Sequence, residues 1–227
     1  MRALTANSYA ILGLIGTRES WSTYELAKQL RRGVHQVIPR ARSNIYAEPK
    51  RLAADGYLTS ESRVVNGRGR TEYSLTDKGR SALRAWLASP GGYSSIESPN
   101  LLRIWVGEQG TRKDLLASLE ACRLEAIESL REWDTVAREY VEYGTPFPAR
   151  IHVNALTFEF YRGYARLLLE WSQWAAEIVG RWPSAQEPDA DWDPLSVFRD
   201  AVGSGESGVD ASRVERGRRA TRAARPK

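Results

Sequence analysis

Two stretches decide the fold: residues 45–58 read IYAEPKRLAADGYL, and residues 67–80 read GRGRTEYSLTDKGR. In the first, the apolar Ile45 and Leu52 fall on one face of a helix, which Gly56 would end. In the second, β-type residues follow the turn dipeptide Asn66-Gly67, a common hairpin signal. The pattern predicts a helix over residues 41–55 and then a β-hairpin with a basic tip.

Pro49 lies inside this predicted helix. An interior proline removes one backbone hydrogen bond and ordinarily costs about 3 kcal/mol. The sequence therefore predicts either a kink in the helix or boundaries narrower than residues 41–55.

Further helices are predicted on both sides of these stretches. Residues 4–16 suit a partly buried helix, and the capping box formed by Ser22 and Glu25 starts another that runs to about Arg32. Residues 33–39 serve as a connection, and Thr76 is a good N-cap for a helix that ends before Pro90. The order of three helices, a hairpin and a helix is that of the winged helix-turn-helix, whose third helix enters the major groove of DNA.

Charge is distributed unevenly along the 227 residues, whose net charge is +5. Residues 1–90 carry 15 Lys and Arg against 7 Asp and Glu, residues 91–183 carry 10 against 13, and residues 184–227 carry 8 against 8. A basic first region beside a mildly acidic second one indicates a polyanion-binding module joined to a region with another task. Chance surface charge is the alternative.

Basic and short polar side chains cluster in the predicted third helix and the hairpin. Lys and Arg can neutralise phosphates and release counterions, whereas short polar and aromatic groups can reach base edges. Ordinary solvation is the alternative for Lys50 and Arg51, and half-buried packing is the alternative for Tyr46. The predicted DNA-binding residues are Arg40, Arg42, Ser43, Asn44, Tyr46, Lys50, Arg51, Arg63, Arg68 and Arg70.

The second half predicts long helices. Residues 88–99 form a linker rich in Gly, Pro and Ser, and Asn100 could cap a short helix. One long amphipathic helix starts near Thr111, and another spans residues 149–181 with apolar side chains on two faces. Since a helix that is apolar on two sides needs two partners, we expect a homodimer. Residues 184–227 are polar or basic, and we expect disorder there.

The predicted fold class is thus mainly α with a small β-hairpin wing. The domains are a winged helix-turn-helix over 1–90, a helical dimerisation region over 91–183 and the tail over 184–227. Five of the eight Trp lie in the second region, and such aromatics could line a pocket for a flat apolar effector or simply fill the core. The candidate effector-binding residues are Trp105, His152, Phe158, Tyr161 and Trp171.

Enzymatic chemistry finds little support. His35 and His152 are far apart without acidic or Cys residues at metal-ligand spacing, so we expect no metal and no cofactor. The single Cys122 cannot form an internal disulfide, the N-terminus lacks a signal-peptide pattern, and no apolar stretch approaches a membrane span. These features predict a cytoplasmic protein that does not enter a membrane.

The first 90 residues resemble the PadR-like transcriptional regulators. The resemblance rests on Ile45-Tyr46, Lys50-Arg51-Leu52 and Gly56-Tyr57-Leu58, then on residues 67–73 and 75–80. It implies a homodimeric DNA-binding regulator of the branch with a larger C-terminal region, and in several members release from DNA by small aromatic effectors. It also implies that Ser43, Tyr46, Lys50 and Arg51 lie in the recognition helix, and that Arg68 and Arg70 lie in the wing. A protein-interaction adaptor that keeps the winged helix for docking is the competing hypothesis.

Overall fold

The computed structural model describes residues 3–30, 46–65, 68–89, 91 and 96–203, with backbone only at residues 64, 65 and 68. These residues divide into two compact units, with the division between residues 92 and 93. The connection 33–39, the turn Asn66-Gly67 and residues 204–227 lie outside the described residues.

Side-chain caps start both N-terminal helices. Helix α1 spans Ala6–Ile15, where the Thr5 hydroxyl accepts from the Ser8 backbone N–H and the Ser8 hydroxyl accepts from the Thr5 backbone N–H. Helix α2 spans Thr23–Gln29 and begins with the predicted capping box of Ser22 and Glu25. Such reciprocal caps satisfy backbone donors that a helix start leaves free.

A three-stranded antiparallel sheet forms the wing and its base. Strand β1 spans Trp21–Ser22, β2 spans Leu58–Val65 and β3 spans Arg68–Leu75, in the order β1-β3-β2. The hairpin β2–β3 was predicted, but β1 was not. Trp21 lies opposite Tyr73 across the β1–β3 pair, and both side chains are almost fully buried. Burial of two large aromatic rings thus anchors the short strand.

Helix α3 spans Ala47–Ala54, so the expectation of a helix over 41–55 is corrected in its described part. Tyr46 takes the N-cap position, which puts Pro49 in the first helical turn. Backbone N–H groups of the first turn have no partner within the helix, so a proline there removes no intrahelical hydrogen bond. After the helix, Gly56 takes a φ of +78°, which favours glycine.

Helix α4 spans Asp77–Ala88 and starts, as predicted, with a Thr76 cap whose hydroxyl accepts from the Gly79 backbone N–H. The Thr76 hydroxyl also lies 2.9 Å from the carbonyl oxygens of Gly56 and Tyr57, which ties the helix start to the turn after α3. At the other end of α4, Trp86 stacks on Tyr9 with ring centroids 4.7 Å apart. These contacts hold α4 against the rest of the first unit.

The second unit is built on two long helices. Helix α5 spans Pro99–Trp105, with Ser98 rather than the expected Asn100 as its N-cap. Helix α6 spans Arg112–Tyr143 and helix α7 spans Ile151–Arg181, with short 3₁₀ turns at Gly107–Gln109 and Pro148–Arg150. The helices α6 and α7 run antiparallel. Their shared core contains one cluster of Leu115, Leu119, Val179 and Ala185, and another of Cys122, Ala126 and Leu168.

Residues 184–203 differ from the expected disordered tail. Ala185 belongs to the core of the second unit, and Trp192 packs on Trp182 with ring centroids 5.4 Å apart. The Gln186 side-chain amide donates to the backbone carbonyls of Glu108 and Gly110, at 2.6 and 3.0 Å. A short helix, α8, follows at Pro194–Gly203. A few anchoring contacts therefore fix a segment whose polar composition alone predicts disorder.

Candidate nucleic-acid interface

Helix α3 presents two of the predicted DNA-binding residues to solvent. Tyr46, at the N-cap position, is 55% exposed, and Lys50 is also exposed. The opposite side of the helix is buried through Leu52 and Pro49. The exposed face of α3 therefore combines an aromatic ring with a cation.

A groove of about 700 Å³ lies between α3 and the hairpin. Within the described part of the chain, the hydroxyls of Ser60, Ser62 and Thr71 make no hydrogen bond, and Lys50 forms no ion pair. Hydroxyl and ammonium groups are common donors to phosphate oxygens. The groove is lined by Lys50, Ala53, Ala54, Leu58, Thr59, Ser60, Ser62, Thr71 and Tyr73.

Two of the hairpin arginines, Arg63 and Arg70, are in contrast paired with carboxylates. Arg70 Nη2 donates to Glu25 Oε2, and Arg70 Nε lies 3.6 Å from Glu72 Oε1. Arg63 donates to Glu61 at 3.2 Å and lies 3.7 Å from Glu72. The described wing therefore carries less uncompensated positive charge than its arginines suggest. Exposed pairs of this kind are weak, so Arg63, which is 59% exposed, stays available to a polyanion.

Glu25 connects the wing to the start of α2. It closes the capping box with Ser22 and accepts a hydrogen bond from Arg70. Burial raises the pKa of Glu25, but the hydrogen bonds from Ser22 and the charge of Arg70 outweigh burial, so the pKa lies below its ordinary value of 4.5. Glu25 thus joins the two elements in its ionised form.

Arg51 also has internal partners. Its guanidinium donates to Glu48 at 2.6 and 3.0 Å and to Asp55 at 2.8 Å, and its side chain is only 22% exposed. The hydrogen bond to Glu48 raises the pKa of Arg51, and the nearby carboxylates outweigh the opposing effect of burial. Arg51 therefore has internal partners that its exposed neighbour Lys50 lacks among the described residues, although both were predicted from the sequence as DNA-binding residues.

Other predicted DNA-binding residues cannot be placed. Arg40, Arg42, Ser43 and Asn44 lie outside the described residues. Arg68 is described only by its backbone, which pairs with Val65 at the end of the hairpin. The described part of the candidate interface therefore consists of Tyr46, Lys50 and the hairpin.

Sequence reasoning missed the acidic partners of the arginines. Glu48 lies two residues before Lys50 in a stretch that looked simply basic, and Glu72 alternates with Arg70 along β3. For Glu25 the capping-box pattern was a signal for a helix start, not for contact with the wing. Only the folded arrangement brings Arg70 to a residue 45 positions earlier.

The effector candidates of the second unit fall into two groups. Phe158 and Tyr161 contact Trp133 of α6, with ring centroids 5.5 and 6.0 Å apart, and Trp171 packs against the core clusters of α6 and α7. Burial raises the pKa of the Tyr161 hydroxyl. Trp105 is 79% exposed, and His152 is exposed at the start of α7. The described contacts thus bring together Phe158 and Tyr161 with Trp133, which the sequence did not single out.

The described residues contain neither a metal-binding cluster nor a membrane-spanning helix. In residues 3–30, 46–65, 68–89, 91 and 96–203, no three His, Cys, Asp or Glu are placed to hold a metal ion together. In the same ranges, none of the helices is long and apolar enough to cross a membrane.

Comparison with known proteins identifies the first unit. The sequence profile of the transcriptional regulator PadR-like family matches residues 11–85. A transcriptional regulator of Mycobacterium tuberculosis is 45% identical over 64 residues, which are 28% of this chain and 53% of that protein. The negative transcriptional regulator PadR of Bacillus subtilis is 32% identical over 80 residues, or 35% of this chain and 43% of that protein. The chain therefore spans about half the length of the curated relatives that it matches.

The fold agrees with solved structures of that family. Bacillus subtilis PadR in complex with operator DNA matches 77% of this chain and 99% of its own, with a TM-score of 0.65 and 18% identity. The same protein in complex with p-coumaric acid matches 76% of this chain and 98% of its own, with a TM-score of 0.60 and 19% identity. A winged helix followed by long C-terminal helices is thus the fold of both. Residues 11–85 therefore match the PadR-like family of transcriptional regulators in sequence, and the fold is the one seen in Bacillus subtilis PadR.

Proposed function

We propose that the protein is a sequence-specific DNA-binding transcriptional regulator, a homodimeric repressor that binds an inverted-repeat operator. One observation carries this proposal: the exposed face of α3, with Tyr46 and Lys50, adjoins a groove lined by hairpin hydroxyls that make no hydrogen bond among the described residues. A helix of this kind fits the major groove, and the hydroxyls and ammonium fit the adjacent phosphates. The family assignment of residues 11–85 supports the same function.

Footprinting on the DNA upstream of the protein's own gene tests this function. We expect protection of an inverted repeat whose half-site centres are about 10 base pairs apart, one helical turn. Affinity should fall steeply with salt, because bound phosphates release counterions. Protection without a repeat, or binding that salt does not weaken, would contradict the proposal.

Two substitutions on the exposed face of α3 test the phosphate contact and the base contact separately. Lys50→Ala should weaken binding to all duplexes and lower the salt slope by about 1. Tyr46→Ala should change the preference among sequences, because an aromatic ring at the start of the helix can contact bases. Binding selections on random duplexes, run with both variants and the full chain, measure the difference.

Dimerisation is supported by an exposed apolar stripe on α7. Val153, Leu156, Phe160, Leu167 and Trp174 follow each other at spacings of three, four and seven, and all are exposed. This spacing places them on one helix face, as in the seam of a coiled coil. A second copy of the same helix would bury the stripe in a two-fold interface.

Effector release is proposed from the aromatic cluster of Trp133, Phe158 and Tyr161. The cluster offers flat apolar rings and one phenolic hydroxyl, which suit a planar aromatic acid of the kind found in the Bacillus subtilis PadR complex. Titration with p-coumaric acid should change the intrinsic tryptophan fluorescence saturably and release bound DNA. If neither the fluorescence nor the DNA binding changes, these rings serve only as core packing.

A further inference from the structure

A polar network occupies the buried side of α3, opposite the face that carries Lys50. The Ser8 hydroxyl of α1 is fully buried and donates to Glu48 Oε1 at 2.6 Å. Arg51 donates hydrogen bonds to both carboxylate oxygens of Glu48, from Nη2 to Oε1 at 2.6 Å and from Nε to Oε2 at 3.0 Å. It also donates to the Ser8 hydroxyl at 3.2 Å and to Asp55 at 2.8 Å. The network therefore joins α1 to both the first and the last turn of α3.

The hydrogen-bond capacity of the Ser8 hydroxyl is fully used. Its one proton goes to Glu48, while its oxygen accepts from Arg51 and from the Thr5 backbone N–H that it caps. Removing any member of such a partly buried network takes hydrogen bonds away from the members that remain. The geometry can therefore hold α3 in one orientation relative to α1.

We infer that Ser8, Glu48, Arg51 and Asp55 position the recognition helix, and that Arg51 acts through this network and not as a DNA contact. The inference rests on the proposed DNA-binding function. All three guanidinium nitrogens already bond within the protein, and two carboxylates balance the charge of Arg51. A phosphate bound by two of the guanidinium N–H groups would have to displace at least one of these bonds. Those to the carboxylates are charge-assisted and stronger than ordinary hydrogen bonds.

Salt dependence distinguishes a positioning residue from a phosphate contact. A residue that neutralises a phosphate contributes about one unit to the slope of log affinity against log salt, and a positioning residue contributes none. A helix held in the wrong orientation instead loses base contacts, each of which discriminates between sequences. Loss of a positioning residue should therefore weaken binding to the preferred sequence more than binding to mixed-sequence DNA.

The experiment compares the full chain with Arg51→Ala, Ser8→Ala and Lys50→Ala. Fluorescence anisotropy would measure binding to a duplex that the full chain selects from a random pool, and to a mixed-sequence duplex, across a salt series. We expect Arg51→Ala and Ser8→Ala to lose about tenfold affinity for the selected duplex. Both should keep the salt slope and the mixed-sequence affinity. Lys50→Ala is the matched control, and its slope should fall by about 1 on both duplexes.

Ser8→Ala keeps the test decisive if Arg51→Ala does not fold, since it removes a single hydroxyl from α1. The double variant Ser8→Ala, Arg51→Ala should lose little more than Arg51→Ala alone, because both residues act through Glu48. The inference would be overturned, while the proposed function would stand, by either of two results. One is a salt slope that falls by about 1 in Arg51→Ala, and the other is an unchanged affinity of Ser8→Ala for the selected duplex. If the full chain selects no duplex from the random pool, the proposed function fails and the inference fails with it.

Discussion

Gly79 allows helix α4 to lie directly against the turn after α3. A Cβ at this position would lie 2.3 Å from the Tyr57 carbonyl oxygen and 2.8 Å from Leu75 Cδ1. We expect Gly79→Ala to lower the free energy of unfolding by about 1–3 kcal/mol, the usual cost of overpacking. Gly13→Ala in α1 is the matched control, because a Cβ there would meet nothing within 4 Å. Urea denaturation should show the control unchanged or more stable by up to about 1 kcal/mol. Equal destabilisation of the two variants would contradict the prediction.

Glu25 gives the first unit a defined response to acid. Its pKa in the folded protein lies below the ordinary value of 4.5, so its ionised form stabilises the fold above that pH. This contribution should disappear as the pH falls from about 4.5 through the lower folded pKa. We expect Glu25→Gln to be less stable than the full chain at pH 6 and to approach it in stability toward pH 3. Thermal melts between these pH values measure the difference, and parallel curves would show that Glu25 is not responsible.

At the scale of single elements, Trp133 joins α6 to α7. The ring is 8% exposed and contacts both Phe158 and Tyr161. Truncation would leave a cavity between the helices, so Trp133→Ala should lower the free energy of unfolding by about 3–5 kcal/mol. Val141→Ala, in the last turns of α6, is the control, since Val141 is 90% exposed and should change stability by less than about 0.5 kcal/mol. Denaturation monitored by circular dichroism measures both variants.

Elements with local signals were predictable from the sequence. The capping box of α2, the hairpin and the Thr76 cap each depend on residues within a few positions of one another. Strand β1 was not predictable, because two residues become a strand only by pairing with β3, about 50 positions later. Segment 184–203 was misjudged for a similar reason, since Gln186 is anchored on carbonyls more than 70 positions earlier.

The candidate site, too, was predictable from the sequence only in part. Exposure of Tyr46 and Lys50 follows from the helical pattern, which places Leu52 on the buried side. The role of Arg51 depends on Ser8, which lies 43 positions earlier and carries no charge to attract notice. A basic stretch in a sequence therefore indicates a binding face, but pairing in the folded chain decides which of its cations are free, and for Arg51 that pairing involves nearby carboxylates as well as the distant Ser8.

At the scale of the whole molecule, the decisive property is assembly. An isolated winged helix reads one half-site, whereas an inverted repeat requires two copies related by a two-fold axis. The exposed stripe of α7 is large for a chain that functions as a monomer, because Leu156, Phe160 and Leu167 are all more than 60% exposed. A dimer would remove these side chains from water and hold two winged helices in one particle.

We therefore expect the double variant Phe160→Glu, Leu167→Glu to be monomeric, because two charges would be buried without partners in the interface. Sedimentation equilibrium should give twice the chain mass for the full chain and the single mass for the variant. Since the DNA-binding unit is untouched, the variant should still bind mixed-sequence DNA but lose the added affinity of two linked half-sites. Val141→Glu is the matched control, because it places one charge on an exposed position of α6 instead of the α7 stripe and should stay dimeric. A dimeric double variant would mean that another surface joins the two copies.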